Sequence, residues 1–276
     1  MNIGVMGDIH GNFDALKAVL SDAFSEGVER ILVNGDLVNR GPNNTAVVEY
    51  LYQIGASIVL GNHDDLVVKW ADRDPSLQKA FYRDPIWDAT GWCVSQLNAS
   101  ESLDKLRRLP KILSIETEMG QTVLISHGSP RDLREGLGID TADSKIVEII
   151  EPYKAGVVIG SHTHMVMERQ VSRKKVINTG SVGAPFDNDP RAAYVILRNL
   201  GGEWRIEFRR VAYDRDSAMG AFKTTGFLAE GGLSAQIFLT ELKYAKSFFT
   251  PFIKWCSKLE LDYTGANWLV FRDSCW

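Results

Sequence analysis

Three short apolar runs separated by two amphipathic stretches, all within the first 64 residues, constrain this chain more than any other feature. "NIGVM" (2–6) predicts a buried strand. "FDALKAVLSDAFSEG" (13–27) predicts a helix, because Leu16, Val19, Leu20 and Ala23 recur on one face and Asn12 is placed to cap it. "RILVNGD" (30–36), "NTAVVEYLYQIG" (44–55) and "SIVLGNHD" (57–64) repeat strand, helix and strand. This βαβαβ order favours a parallel sheet with right-handed crossovers and gathers the functional loops at the carboxyl ends of its strands. All three of those loops carry polar signatures.

Beyond this unit the pattern changes. Residues 65–110 read as helical segments rich in Trp and Arg and bounded by prolines, an inserted helical cap. Strand signals return at "TVLISHGS" (122–129), "GVVIGSHTH" (156–164), "KVINTGS" (175–181), "AAYVILR" (192–198) and "WRIEFRRVAY" (204–213). The last three, with turns at "DNDP" and "NLGG", predict an antiparallel meander and hence a second sheet. From 214 onward the chain reads as helices at 216–226 and 233–249, then an aromatic tail. A core over 1–213 with the insert at 65–110, and a C-terminal helical extension over 214–276 packed on it, is the expected organisation.

Composition narrows the function. A formal charge of −4 argues against a protein that coats nucleic acid through its overall field, so an anionic substrate needs local help. "SRKK" (172–175) has no interleaved aromatics and reads as a solvated turn. The three cysteines are far apart, odd in number and form no CxxC pair, which fits a reduced cytoplasmic setting better than a disulfide framework. The start has no basic segment before its apolar run, and no apolar run approaches the roughly 18 residues needed to span a bilayer. A cytoplasmic protein with no membrane partner and no stable nucleic-acid partner is expected.

Each of the five histidines follows an apolar strand-like run: His10, His63, His127, His162 and His164. Asp8, Asp36 and Asn62 share those strand ends, and no thiol lies near them. This donor set suits manganese, iron, zinc or cobalt better than a soft metal.

The ordered motifs "GDIH", "NGDLVNRG", "GNHDD", "ISHGS" and "GSHTH" resemble those of the calcineurin-like metallophosphoesterases, over roughly residues 1–213. "HGSPRD", "NTGSVGAPFDNDPRAAY" and "VAYDRDSA" are similar to bacterial phosphoesterases grouped with symmetrical diadenosine tetraphosphatases and serine/threonine phosphatases. The resemblance implies an α/β fold, a four-layer α/β/β/α sandwich of two mixed sheets. It implies two divalent or trivalent metal ions about 3.5 to 4 Å apart. One would be held by Asp8, His10, Asp36 and His164, the other by Asp36, Asn62, His127 and His162. With a bridging hydroxide, such a centre keeps roughly one net positive charge, which explains how an acidic chain attracts phosphate. The implied reaction is hydrolysis of phosphoric mono- or diesters by that hydroxide, with His63 as general acid.

Two departures bear on this. "VNRG" stands where the protein phosphatases have VDRG, so Asn39 or Asp64 is left to support His63. "GSHTH" places Ser161 between Gly160 and His162, in a simple turn or in contact with a ligand. Arg40 matches the arginine that grips phosphate, a role suited to its planar fork; Arg131 is a weaker candidate and Arg191 a structural one. Trp70, Trp87 and Trp92 either stack a nucleobase or pack a helical core, and the tail aromatics Phe248, Phe249, Phe252, Trp255 and Trp268 cover the core or form a homodimer face. The substrate is expected to be a phosphorylated small molecule or nucleotide. Alternatives are a diadenosine polyphosphate hydrolase, a protein serine/threonine phosphatase, and a noncatalytic metal-binding scaffold of the same fold.

Overall fold

The first apolar run forms β1 (Asn2–Met6), and its side chains alternate as a pleat requires: Ile3 and Val5 enter one core, Met6 the opposite one. A computed structural model describes residues 2–116, 120–201 and 203–275; Met1 and Trp276, at the ends of the predicted core and tail, lie outside them. β2 (Arg30–Val33) runs parallel to β1, and β3 (Ser57–Ile58) parallel to β2. The crossovers are α1 (Phe13–Ser25), capped by Asn12 Oδ1 accepting from Ala15 N at 3.1 Å, and α2 (Asn44–Gln53). The predicted helix positions Leu16, Val19, Leu20 and Ala23 are the buried ones.

Two mixed five-stranded sheets result. The first has the order β10-β9-β1-β2-β3, with β9 (Ala192–Leu200) and β10 (Glu203–Val211) added as an antiparallel pair. The second has the order β4-β5-β6-β8-β7, from β4 (Ile112–Glu116), β5 (Thr122–Ser126), β6 (Val157–Gly160), β7 (Val166–Val171) and β8 (Lys174–Thr179). Ile3, Val5 and Leu32 of the first sheet meet Val123, Ile159 and Ile177 of the second in a shared core. α1 and α2 cover the outer face of the first sheet; α6 (Asp143–Ile150) covers that of the second through Ile146, Ile149 and Ile150. The layers are therefore α/β/β/α.

The predicted three-strand meander is corrected. β8 lies in the second sheet, parallel to β6 and in a hairpin with β7, so of the three predicted strands β9 and β10 alone pair with each other. β4 and β7 carried no sequence expectation. Both are edge strands whose solvated faces dilute the apolar signal. The predicted third strand ends early, because "NHDD" opens a helix instead.

That helix, α3 (Asn62–Ala71), leads through two short 3-10 turns to α4 (Asp88–Asn98) and α5 (Ser102–Arg107). Val67, Cys93, Val94 and Leu97 pack into the same core as α1 and α2. Ile86, Ala89 and Trp92 instead join the C-terminal helices α7 (Arg215–Thr224), α8 (Phe227–Glu230), α9 (Gly232–Tyr244), α10 (Phe249–Leu259) and α11 (Gly265–Asp273). That cluster buries Phe227, Phe248, Phe252 and Trp268, each of which contributes about 2 to 3 kcal/mol by leaving water. Among the described residues, no helix is long and apolar enough to cross a membrane.

Candidate metal centre

The five motif loops converge at the carboxyl ends of the parallel strands. Asp8 and His10 follow β1, Asp36 follows β2, Asn62 and His63 open α3, His127 follows β5, and His162 and His164 follow β6. Backbone bonds stitch the loops together: Ile9 N and His10 N both donate to Asp36 O, at 2.8 and 3.0 Å, and Asp8 N donates to Gly35 O at 3.1 Å. Asp8, His10, Asp36, His162 and His164 all have positive φ, as do Asn39 and Arg40. For non-glycine residues that conformation costs roughly 1 kcal/mol or more each, so the strain is concentrated where the chain turns donor side chains inward. Gly61 is required at its position because a Cβ there would overlap the Asp36 backbone nitrogen and Oδ1.

The donors meet in two groups that share Asp36. His10 Nε2 lies 3.2 Å from His164 Nε2, 3.8 Å from Asp8 Oδ1 and 3.6 Å from Asp36 Oδ2. His127 Nε2 lies 3.4 Å from Asp36 Oδ2 and 2.8 Å from Asn62 Oδ1, which in turn lies 2.7 Å from His162 Nδ1. Asp8 Oδ1 is within 3.5 Å of His164 Nε2 and 4.0 Å of His127 Nδ1.

A cation fits this arrangement, for three reasons. First, each carboxylate has one oxygen satisfied and one orphaned. Asp8 Oδ2 accepts from His162 N and Asp36 Oδ1 from His63 N, whereas Asp8 Oδ1 and Asp36 Oδ2 are buried without a hydrogen-bond partner. Second, His10, His127 and His164 each direct Nδ1 at a main-chain carbonyl, of Val38, Asn34 and Ala184 respectively. A carbonyl only accepts, so Nδ1 carries the proton and a bare Nε2 lone pair faces inward, as in histidine-metal sites. Third, burial holds all three rings neutral: His127 is lowered to about 4, and His10 and His164 lie well below the usual range. Two such lone pairs 3.2 Å apart repel unless a positive charge lies between them. Burial likewise raises Asp36 to about 7 and Asp8 well above the usual range, the latter further raised by Asp36.

His63 stands beside these groups, edge-on to His10 with ring centroids 5.0 Å apart. Its support is Asn39, whose Nδ2 lies 3.0 Å from His63 Nδ1. The amide orientation is fixed, because Asn39 Oδ1 already accepts from Arg40 N at 2.9 Å. An amide N–H only donates, so the 3.0 Å Asn39 contact makes Nδ1 the acceptor and puts the ring proton on Nε2, at the expense of the longer, 3.5 Å approach of Arg40 Nε–H to Nε2. Burial, and then the charge of Arg40, holds His63 well below its usual range.

The expectation that Asp64 supports His63 is corrected. Its carboxylate accepts the backbone N–H groups of Asp36, Leu37, Val38 and Gly61 at 2.9 to 3.3 Å, which splints the Asp36 loop, and burial raises it to about 8. Ser161 Oγ lies 3.3 Å from Nδ1 of His127, one of the candidate donors. Arg40 is 8% exposed, its Nε lies 3.5 Å from His63 Nε2, and its Nη1 is 2.5 Å from Glu241 Oε2. Arg131 pairs with Glu135 and Glu148, and Arg191 with Asp189 on its own turn.

Glu241 carried no sequence expectation, although a signal was available. It stands on the buried face of α9 with Ile237, Phe238 and Leu242, where an acid is anomalous. The carbonyl partners of the histidines have no sequence signature at all. A cleft of about 370 Å³ opens beside Asn62 and His63, walled by Phe81, Trp87 and Phe249 and flanked by Arg40, Arg134 and Lys254. Phe81 and Trp87 stack there at 4.4 Å; Trp92 packs on Phe227 and Trp70 on Tyr82.

Comparison with known proteins agrees with this geometry. The calcineurin-like phosphoesterase family profile matches residues 1–166. An uncharacterized protein of Methanocaldococcus jannaschii is 30% identical over 229 residues, covering 77% of this chain and 88% of that protein. A symmetrical bis(5'-nucleosyl)-tetraphosphatase of Pseudomonas entomophila is 32% identical over 149 residues, 52% of this chain and 48% of that protein, so this chain spans under half of it. The crystal structure of a metallophosphoesterase from Sphaerobacter thermophilus superimposes with a TM-score of 0.68 at 27% identity, covering 89% of this chain and 100% of that one. A hypothetical protein of Pyrococcus horikoshii, at 19% identity, shares the fold with a TM-score of 0.69 over 86% and 97% of the two chains. The chain belongs to the calcineurin-like phosphoesterases, metal-dependent hydrolases of phosphate esters.

Proposed function

We propose that this chain hydrolyses phosphoric mono- or diesters whose leaving group departs readily as an anion. Asp8, His10, Asp36 and His164 would hold one metal ion, and Asp36, Asn62, His127 and His162 the other, drawn from manganese, iron, zinc or cobalt. When bound, such a pair supplies Lewis acidity toward the phosphoryl oxygens and an acidified water as nucleophile. The observation that carries the reading is the pair of buried, unpartnered oxygens, Asp8 Oδ1 and Asp36 Oδ2, each facing imidazole lone pairs.

The protein's own groups do the rest. Arg40 binds the phosphoryl group through its fork, and His63 presents its Nε2–H to the leaving oxygen. Asn39 brings no negative charge to stabilise an imidazolium, so His63 serves as a hydrogen-bond donor more than as a full proton donor. Aryl oxides and phosphates, which leave as stable anions, suit that device better than alkoxides. Mn²⁺-dependent release of 4-nitrophenol from its phosphate mono- and diester, abolished by a chelator, tests the reading. A purified chain that turns over neither ester with any of the four metals refutes it.

A second reading concerns the substrate itself. The aromatic cleft beside His63, with Arg134 and Lys254 at its rim, favours a nucleotide polyphosphate: a base has a stacking surface there and further phosphates have cations. Faster turnover of diadenosine tetraphosphate than of a sugar phosphate supports it, and the reverse order excludes it.

A further inference from the structure

Arg40 is caught from the other end of the chain. Its Nη1 lies 2.5 Å from Glu241 Oε2, with the arginine side chain 9% and the glutamate 2% exposed. The other carboxylate oxygen, Oε1, accepts the backbone N–H groups of Phe248 at 2.7 Å and Phe249 at 2.8 Å, where α9 gives way to α10. The rings of Phe238, Phe186 and Phe249 surround the guanidinium at 5.1, 5.5 and 5.9 Å. Glu241, Phe238 and Phe249 all belong to the C-terminal helices, beyond the segment that matches the family profile.

We propose that Glu241 is a positioning residue for the hydrolytic site: it clamps Nη1 of the Arg40 fork and so holds the guanidinium, whose Nε faces His63 Nε2 at 3.5 Å, against the site, and the C-terminal helices thereby complete the phosphate-binding site. This rests on the reading of Arg40 as the phosphate-gripping group. An arginine side chain loses rotamer freedom when it binds an anion; one held in place beforehand has already lost it. Stability alone does not account for the pair, since an apolar pair of similar volume commonly stabilises a core as well as a buried ion pair does. Both oxygens of Glu241 are used, so its carboxylate is itself fixed by the main chain and makes a rigid anchor.

A kinetic cycle tests the proposal, using Mn²⁺-loaded full-length wild type, Glu241→Gln, Arg40→Ala and the double variant, with bis(4-nitrophenyl) phosphate as substrate and inorganic phosphate as competitive inhibitor. Glu241→Gln is expected to lower kcat/KM by roughly ten- to a hundredfold, the scale of a misplaced binding group. Most of that loss should appear in KM and in a weaker inhibition constant for phosphate, with a single cooperative thermal transition retained. In the Arg40→Ala background the same substitution should cost nothing further. Wild-type kinetics in a folded Glu241→Gln chain overturns the proposal, as does an undiminished loss in the Arg40→Ala background. Should Glu241→Gln fail to fold, Phe238→Leu loosens the same cage without stranding a charge, and its smaller loss must likewise vanish when Arg40 is absent. A wild-type chain that hydrolyses nothing refutes the phosphoesterase reading itself, an outcome distinct from additive variants of an active one.

Discussion

The strand-end loops around Asp8, Asp36, His127 and His164 concentrate buried polar atoms and left-handed backbone, whereas the C-terminal helices concentrate aromatic rings and contribute one buried acid, Glu241. The loops are locally unfavourable, with orphaned carboxylate oxygens and opposed lone pairs, and are held by the backbone bonds between them and by the Asp64 splint. The helices are favourable on their own account. The candidate donors are thus placed where the backbone is strained, and Arg40, proposed to grip the phosphoryl group, is held by the aromatic helices through Glu241.

This contrast can be broken most severely at Asp36. Asp36→Asn, which removes the charge shared by both donor groups, should lower turnover on the order of 10³-fold or more, since electrostatic stabilisation is the largest single catalytic contribution; near-normal turnover would mean that the two groups do not act together. His63→Ala should cost about 10²- to 10⁴-fold, the range for a positioned proton-donating group. If His63 is chiefly a hydrogen-bond donor, the loss is smaller for aryl than for alkyl leaving groups; equal losses would restore it as a full general acid. Trp87→Ala, in the cleft wall, should raise KM for a base-bearing substrate about tenfold, the scale of one lost stacking contact, and leave KM for a sugar phosphate unchanged.

A smaller effect separates the two regions by pH. Without metal, Asp36 (about 7) and Asp64 (about 8) keep protons in the fold that the unfolded chain loses near its ordinary carboxylate pKa. A raised folded-state pKa contributes stability that is complete below the unfolded value and lost as pH climbs through the folded one. Between pH 7 and 8.5 the chelated protein should lose a degree or two of Tm, roughly 1 kcal/mol and mostly from Asp64, because Asp36 is already half ionised at the start of that interval and its loss falls mainly below pH 7. Mn²⁺ compensates the Asp36 charge, so the gap between metal-loaded and chelated protein should widen as pH rises from about 5.5 to 7 and level off above that. A constant gap in differential scanning calorimetry would show that Asp36 is not a ligand.

The same contrast explains what the sequence reveals. The candidate metal donors stand at strand ends, singly (Asp36, Asn62, His127) or two residues apart (Asp8 and His10, His162 and His164), so their identity and order are written locally, and the structure brings all seven together. The support for His63 was only half legible: Asn39 or Asp64 could fill it from spacing alone, and the choice depends on which way the α3 amino terminus turns Asp64 toward the Asp36 loop. Glu241 lies 201 residues from Arg40, and nothing in either neighbourhood names the other. β4 and β7 were hidden because an edge strand has one wet face, and β8 was misassigned because a strand's apolar pattern does not specify its sheet.

Metal content is the most direct test of the central claim. Equilibrium dialysis against Mn²⁺, followed by elemental analysis, should give two tightly held ions per wild-type chain and fewer than one per Asp36→Asn chain, because one carboxylate serves both positions. Wild type that retains no ion, or an Asp36→Asn chain that still holds two, would contradict a paired centre joined through Asp36.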